Sequence, residues 1–154
     1  MEFQAVFFQH GADDTLVVAG GVIPHRMGLS ETVLIYETHI ACMGGLEVFL
    51  ERYPKQKSHF CEKKVFVETT SADAALQCLA VGVDAIQFFQ MQPDALKAAV
   101  EQVKAAFPHC TIVAAGNLTE ENIAAYAATG VDGLVSSAFY RAEPIQMQAQ
   151  FHTN

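Results

Sequence analysis

The sequence ATGVD at Ala128–Asp132 is followed by the apolar run Gly133–Ser137. A similar sequence, AVGVD at Ala80–Asp84, precedes a second apolar run at Ala85–Gln90. The glycine of each pair suits the left-handed residue that ends a helix, and a short apolar run is typical of a buried parallel strand. The repetition therefore predicts successive βα units of one α/β barrel, in which both aspartates are ordinary loop residues.

Short β-branched or aromatic runs alternate with amphipathic segments in the second half of the chain, as expected for a parallel sheet covered by helices, and the first half is less regular. The segment from Pro93 to Phe107 illustrates the helical pattern, because proline fits a first helical position and apolar residues recur on one face. We predict strands at Ala5–Gln9, Thr32–Tyr36, Lys64–Glu68, Ala85–Gln90, Thr111–Ala115 and Gly133–Ser137, and helices at Leu46–Tyr53, Ala72–Val81, Pro93–Phe107 and Thr119–Thr129.

Local signals refine the ends of these segments. Thr119 is a candidate N-cap of the last helix, with Leu118 packing on Ile123 as a hydrophobic staple. The polar and basic stretch Pro54–Lys64 predicts a surface loop, and Ala19–Gly21 predicts a Gly-rich connection.

Size and charge limit the organisation and the partners of the chain. Its 154 residues, 51% of them hydrophobic, predict one domain over residues 1–154. A formal charge of −8 without a Lys/Arg cluster argues against nucleic-acid binding. Because the apolar runs are too short for a membrane span and the N-terminus lacks a basic signal segment, we expect a cytoplasmic protein without membrane insertion. The four cysteines and six histidines show no metal-ligand spacing, so we expect no protein metal site.

Residues at the carboxyl ends of the strands surround the pocket of a parallel α/β barrel. Gly116 and Asn117 follow one predicted strand, just before a helix amino end, and Ser136 and Ser137 close the next strand. Because glycine permits close approach of a ligand and backbone N–H groups bind anions, these four residues are a candidate phosphate site. The alternative is a simple turn, with serines that satisfy the local backbone.

Other side chains near the strand ends are candidates for holding the rest of a ligand. Arg26 suits bidentate recognition of a carboxylate or phosphate, and His25 beside it can donate or accept a hydrogen bond. Since adjacent strand residues face opposite ways, both reach one pocket only from a turn or irregular loop, and the alternative is a surface dipeptide. His39, after the strand Thr32–Tyr36, is a third candidate for contact with substrate.

Glu68 is the acidic candidate, because it closes a predicted strand. A carboxylate at this place can orient a ribose hydroxyl or stabilise positive charge that develops at a sugar carbon. The alternatives are a salt bridge to Lys63 or Lys64 and a capping role near Ser71.

These residues lie in sequences that resemble a known family. The run AGGVIPHRMGLSETVLIYETHI at Ala19–Ile40 and the run AAGNLTEENIAAYAATGVDGLVSSA at Ala114–Ala138 resemble the nicotinate-nucleotide pyrophosphorylases, or quinolinate phosphoribosyltransferases. The segment IPHRMGLSETVL looks still more like the molybdenum-transport-associated ModD members. The resemblance extends from about Leu16 to Phe151.

The resemblance implies the open, incomplete, TIM-like α/β barrel of type II phosphoribosyltransferases, normally preceded by an N-terminal α+β domain and assembled as a homodimer. It implies phosphoribosyl pyrophosphate with Mg²⁺ as a substrate, and in the pyrophosphorylases the synthesis of nicotinate mononucleotide from quinolinate with loss of carbon dioxide. Carried over by motif, His25 and Arg26 would bind the acidic substrate and Glu68 would face the ribose. Gly116, Asn117, Ser136 and Ser137 would line the phosphate site.

The chain also departs from the family pattern. The family's Arg-Lys-Thr segment is absent, and Gln9-His10-Gly11 is its nearest counterpart. Tyr36 occupies a lysine position and Thr38 an asparagine position, while Phe89-Gln90 stand where many members have Asp-Asn. The family's SGG segment reads Ala115-Gly116-Asn117. These changes remove charged groups that would bind substrate carboxylates, ribose or magnesium.

The sequence leaves two pairs of alternatives open. The family's N-terminal domain is absent, so the chain is either a fragment or a shortened relative that has lost the reaction. The leading functional hypothesis is a pyrophosphorylase-like transferase domain that binds a phosphoribosyl compound and an anionic partner, and forms a homo-oligomer. The competing hypothesis is a non-catalytic binding or regulatory barrel that retains only the phosphate site.

Overall fold

Seven parallel strands form one sheet in this computed structural model, which describes residues 5–9, 22–26 and 31–138. The strands are β1 (Ala5–Gln9), β2 (Ile23–His25), β3 (Val33–Ile35), β4 (Val65–Thr69), β5 (Ala85–Phe89), β6 (Thr111–Ala115) and β7 (Gly133–Ser136). Their order is β2-β1-β7-β6-β5-β4-β3, so β1 returns beside β7 and the sheet stays open between β2 and β3. This arrangement confirms the predicted open, parallel α/β barrel.

Successive side chains of each strand point to opposite faces of the sheet, and the two faces belong to two separate hydrophobic cores. In β4, Val65 and Val67 belong to the larger core between the sheet and the helices. Phe66 points the other way and packs against a smaller cluster that contains Val113, Ala115 and Val135, together with Phe89. Because successive side chains of a strand face opposite sides, Glu68 and Gln87 share the side of this smaller cluster, inside the barrel.

The helices follow the strands, as the sequence predicts for most of them. They are α1 (Glu37–Cys42), α2 (Leu46–Gln56), α3 (Ala72–Ala80), α4 (Pro93–Ala106) and α5 (Ile123–Ala127), with a 3-10 turn at Lys57–Phe60. In α4, Pro93 occupies the first turn, and Leu96, Val100 and Val103 are buried along the predicted face. None of the helices in the described ranges has the length and apolar content needed to cross a membrane.

The predicted helix Thr119–Thr129 is wrong at its amino end, because α5 begins only at Ile123. Thr119 does not cap it. The Asn122 side chain instead accepts a hydrogen bond from the Thr119 N–H at 2.9 Å and donates one to the Asn117 carbonyl at 2.8 Å. An asparagine that bonds the backbone of its own loop stabilises a turn at the expense of helix, which explains the late start.

The predicted surface loop Pro54–Lys64 is also wrong in its first part. Helix α2 runs through Pro54 to Gln56, although proline supplies no N–H to the helix. Phe49 and Tyr53, just before the proline, are buried in the large core, and Phe60 packs against it. Tertiary packing therefore keeps the first part of this segment helical, although its polar composition predicts a loop.

Two elements were not predicted at all. Helix α1 occupies a stretch for which the sequence predicts no element, and β2 covers Ile23–His25, part of the segment that would have to be a turn or irregular loop for His25 and Arg26 to share a pocket. Strand β2 is parallel to β1, with Gln9 opposite His25. The Gly-rich connection at Ala19–Gly21 and the pair His10-Gly11 lie outside the described residues.

The repeated GVD sequence has one structural role in both copies. Gly82 and Gly130 have φ of 92° and 87°, the left-handed conformation expected after a helix. Asp132 accepts a hydrogen bond from the Ile112 N–H at 2.7 Å, and Asp84 accepts one from the Val65 N–H at 2.9 Å. Each aspartate therefore binds the start of the neighbouring strand, which corrects the view that they are ordinary loop residues.

Candidate functional site

A cavity of about 720 Å³ lies at the carboxyl ends of strands β3 to β7. Five of the eight candidate residues lie in the wall of this cavity, although they follow three different strands. They are Glu68, Gly116, Asn117, Ser136 and Ser137. Tyr36, Thr38, Gln87, Phe89, Gln90, Ala115 and Leu118 are among the other residues of this wall, which we call the carboxyl-end cavity.

Glu68 is paired with a side chain that the sequence analysis missed. Its carboxylate accepts a hydrogen bond from the Gln87 amide at 2.8 Å, rather than a salt bridge from Lys63 or Lys64. Ser71 caps α3 with its own hydroxyl, which accepts from the Ala74 N–H at 3.3 Å. The alternatives considered for Glu68 are therefore not what the structure contains.

The surroundings of Glu68 raise the pKa of its carboxyl group above the ordinary value in water. Burial raises the pKa of the carboxyl, the hydrogen bond from Gln87 lowers it, and the nearby negative charge of Glu37 raises it again, with a net upward shift. Glu37 itself accepts a hydrogen bond from the Thr70 N–H at 2.9 Å. A carboxylate held in this way can face a ligand with a fixed orientation.

Because Gly116 has no side chain, two protein side chains rather than a ligand come close to its backbone. Its φ is 90°. A Cβ built there would lie 2.7 Å from Gln90 Cγ and 2.9 Å from Phe89 Cε2. Asn117 and Gln90 also have positive φ, 55° and 52°, so backbone strain is concentrated at this wall of the cavity.

The hydroxyl of the buried residue Ser136 forms hydrogen bonds with the backbone of the cavity wall. It donates to the Leu118 carbonyl at 3.1 Å and accepts from the Ala138 N–H at 3.1 Å. This bond ties β7 to the loop after β6. Ser137 is half-buried at the same cavity.

Arg26 is half-buried, which excludes the surface-dipeptide alternative for this residue. It lines a second, interior cavity of about 250 Å³, which extends toward the amino ends of the strands. Its guanidinium donates from Nη2 to the Tyr36 hydroxyl at 3.4 Å, and Tyr36 lines the carboxyl-end cavity. Leu34 and Gln87 line both cavities, so Arg26 lies next to the carboxyl-end cavity but outside its wall.

The two histidine candidates are placed differently. His25 is the last residue of β2, and its side chain lies outside what the structure describes. His39 is exposed in α1 and is not part of either cavity wall; its Nδ1 accepts a hydrogen bond from the Tyr36 N–H at 3.2 Å. The His39 and Tyr36 rings also meet edge to face, with centroids 5.2 Å apart. Through these two contacts His39 helps to fix the position of Tyr36.

Sequence reasoning could have found Gln87. It is a polar residue in the middle of an apolar strand, only 4% exposed, and such a group needs a hydrogen-bond partner. Tyr36 and Phe89 were noted as departures from a family pattern, but their contacts with Arg26 and Gly116 join segments that are distant in the chain.

The described residues contain no group of three or more His, Cys, Asp or Glu arranged to hold a metal ion. The four cysteines are free thiols. Burial raises the pKa of Cys78 to about 11, which makes it an inert thiol at neutral pH.

Comparison with known proteins adds to this geometry. A family model described as quinolinate phosphoribosyl transferase, C-terminal domain, matches residues 11–149. The chain is 31% identical over 119 residues to the probable nicotinate-nucleotide pyrophosphorylase (carboxylating) of Synechocystis sp., a match that covers 77% of this chain and 40% of that protein. It is 30% identical over 133 residues to a Pasteurella multocida protein that carries the name pyrophosphorylase ModD, with coverage of 86% and 47%.

A solved structure agrees with these relatives. The nicotinate-nucleotide pyrophosphorylase from Francisella tularensis superposes with a TM-score of 0.72 at 26% identity, over 90% of this chain and 50% of that chain. The chain spans half or less of the length of these relatives.

Proposed function

From the premise that this chain belongs to the quinolinate phosphoribosyl transferase C-terminal-domain family, we propose that its carboxyl-end cavity binds a phosphoribosyl compound, beside an anionic partner held at Arg26. The observation that carries the proposal is the assembly of Glu68 with Gly116, Asn117 and Ser137 around one cavity of about 720 Å³. A carboxylate at one side and a glycine-containing turn at the other suit a sugar and its phosphate.

The phosphate is assigned to the turn after β6. The backbone N–H groups of Gly116 and Asn117 and the hydroxyl of Ser137 are its donors in this proposal. Ser136 contributes indirectly, since its hydroxyl holds the Leu118 carbonyl at 3.1 Å and thereby fixes this turn against β7. No lysine or arginine is among the described residues of the cavity wall, so binding relies on neutral donors.

Glu68 is assigned to the ribose. Its carboxylate can accept from a ribose hydroxyl and can stabilise positive charge at the anomeric carbon as the bond to a leaving group lengthens. Catalysis in this proposal depends on positioning and charge, without a covalent intermediate on the protein. The anionic partner is assigned to Arg26 and His25.

Magnesium enters this proposal with the substrate. Mg²⁺ keeps several water ligands and is usually bound through one or two carboxylates together with substrate phosphates. Glu68 is a carboxylate of the cavity wall that suits this role, and no resident metal cluster is required. Association of two chains into a homo-oligomer is a further expectation of the family resemblance, which sedimentation velocity would test.

A non-catalytic binding barrel is the second candidate function. It is favoured by Phe89, whose ring lies against Gly116 inside the cavity wall where a charged side chain would serve chemistry. In this candidate the phosphate turn binds its ligand, but no bond is broken.

Calorimetric titration with phosphoribosyl pyrophosphate and Mg²⁺, followed by a quinolinate turnover assay, separates these candidates. We expect saturable binding and measurable nicotinate mononucleotide. Glu68→Gln should lower turnover by roughly 100-fold with a smaller effect on binding, while the control Glu101→Gln, on the exposed face of α4, should change neither. Binding without turnover would favour the non-catalytic barrel, and absence of binding would exclude both candidates.

A further inference from the structure

Gln87 is a polar residue in the middle of the apolar strand β5. Its neighbours Ile86 and Phe88 belong to the large core, so Gln87 faces the inside of the barrel, where it is only 4% exposed. A carboxamide buried to this extent is unfavourable unless it forms hydrogen bonds. The partner that the fold gives it is the carboxylate of Glu68.

Strand pairing fixes the relative position of these two residues. Glu68 and Gln87 are register partners on β4 and β5, and Gln87 Nε2 donates to Glu68 Oε2 at 2.8 Å. The register continues on both sides of this position, so neither strand can shift alone. A hydrogen bond to a charged acceptor between such neighbours therefore holds Oε2 in one place.

The bond from Gln87 leaves the second oxygen of the Glu68 carboxylate for another donor. Glu68 is half-buried and lines the carboxyl-end cavity. A carboxylate accepts hydrogen bonds through both of its oxygens. Because Oε2 is engaged within the sheet, Oε1 is the oxygen that can accept from a ligand hydroxyl in this cavity.

The groups around Glu68 make Gln87 important for its ionised form. Burial raises the pKa of Glu68, the hydrogen bond from Gln87 lowers it, and the negative charge of Glu37 raises it. Tyr36, another titratable group of the cavity wall, accepts from Arg26 of the neighbouring cavity at 3.4 Å. Of the causes that act on this pKa, Gln87 is the one that favours the carboxylate.

We infer that Gln87 is a positioning residue for Glu68: it holds Oε2 and thereby aims Oε1 of the ionised carboxylate at the ribose in the carboxyl-end cavity. This inference rests on the proposed function, because it concerns the same carboxylate and the same ligand. Gln87 acts through Glu68, and no bond is formed or broken at its amide.

Gln87→Met tests this role in the full chain, because it removes the amide donor and keeps an unbranched side chain of similar size. With phosphoribosyl pyrophosphate, Mg²⁺ and quinolinate, kcat should fall roughly tenfold, the effect of losing one hydrogen bond to a charged group. KM should change by less than about threefold. A misplaced carboxylate stabilises developing positive charge less well, while the phosphate is still bound at the turn after β6.

A second readout follows the Glu68 carboxyl directly. In protein with isotope-labelled glutamate carboxyl carbons, the Glu68 signal is the one that Glu68→Gln lacks. It should titrate at higher pH in Gln87→Met than in the wild type, and the acid limb of kcat/KM should move upward with it. Gln87→Glu should move the upper titration step further, since two adjacent carboxyls share a proton. A residue that only fills space would leave the acid limb in place.

Thr129→Val is the matched control, because it also replaces a buried polar residue by an apolar one. The Thr129 hydroxyl donates to the Tyr126 carbonyl at 2.7 Å, away from the carboxyl-end cavity. This variant should keep the wild-type kcat, KM and Glu68 titration. Thermal melting identifies unfolded protein, and if Gln87→Met does not fold, Gln87→Glu decides the outcome through the same measurements, with kcat again lowered at neutral pH.

If Gln87→Met keeps the wild-type kcat and acid limb while Glu68→Gln loses turnover, the role of Gln87 is refuted and Glu68 keeps its assignment. If Glu68→Gln binds and reacts as the wild type does, or if the wild type binds no phosphoribosyl pyrophosphate, the proposed function fails and the role of Gln87 fails with it. If the wild type binds without turnover, the ligand should still shift the Glu68 carboxyl signal, and an equal shift in Gln87→Met overturns the inference.

Discussion

Glu68 and Gln87 are register partners on β4 and β5, and the Gln87 amide donates to the Glu68 carboxylate at 2.8 Å. The pair lies inside the barrel, where Gln87 lines both cavities. A hydrogen bond between directly opposite strand residues has little freedom to rearrange, so Gln87 determines where the carboxylate oxygens of Glu68 lie.

Stability should respond to pH through Glu68. Because its pKa in the folded protein is raised by burial, with Gln87 opposing and Glu37 adding to the shift, the folded state binds this proton more tightly than the unfolded state. The contribution is present below the unfolded pKa and is lost as pH rises through the folded value. We expect the wild type to lose stability relative to Glu68→Gln over this interval in urea unfolding. A difference that grows in the wild type's favour with rising pH would contradict this assignment.

Removal of Asp132 should destabilise the sheet. Asp132→Ala leaves the Ile112 N–H without its 2.7 Å partner and Lys104 without its 2.8 Å ion pair. We expect a loss of about 2 kcal/mol in the free energy of unfolding, mostly from the unpaired N–H, since the ion pair is partly exposed. Glu101→Ala, at an exposed position of α4, is the control and should change it little.

Gly116→Ala should cost more than Gly130→Ala, although both glycines have positive φ, 90° and 87°. Left-handed alanine costs about 1 kcal/mol at either position. At Gly116 the new Cβ also meets Gln90 Cγ at 2.7 Å and Phe89 Cε2 at 2.9 Å, whereas at Gly130 the nearest atom is Val100 Cγ1 at an ordinary 3.7 Å. Denaturant midpoints measure the difference. If Gln90→Ala together with Phe89→Leu in the Gly116→Ala background restores nothing, the steric explanation is wrong.

Tyr53→Phe should stabilise the protein by up to about 1 kcal/mol, because the wild-type hydroxyl is buried without a hydrogen-bond partner. Burial, with the negative charge of Asp84 and that of Cys78 once its thiol ionises in alkali, raises the pKa of Tyr53 to about 12. The proton is bound more tightly in the folded state, so this contribution is lost as pH rises toward 12. The variant should unfold less readily in alkali. An unchanged midpoint at both neutral and alkaline pH would mean that water reaches this hydroxyl.

Local sequence patterns were sufficient to predict the strands and the position of the candidate site. Apolar runs predict β4 to β7 to within a residue or two, and parallel strands bring their carboxyl ends to one edge, so Glu68, Gly116 and Ser137 meet as expected. Helix α2 beyond Pro54 was not predictable in this way, because burial of Tyr53 and packing of Phe60 outweigh the polar composition.

The sequence by itself determined the parallel barrel, the family and five of the residues around the carboxyl-end cavity, since these depend on periodicity and on motifs within one segment. Only the tertiary structure decided what each side chain contacts. Ser136 bonds the carbonyl of Leu118, 18 positions away, and Arg26 bonds Tyr36, 10 positions away. Such bonds depend on how separate strands and loops approach in space, and a local sequence pattern carries no information on that approach.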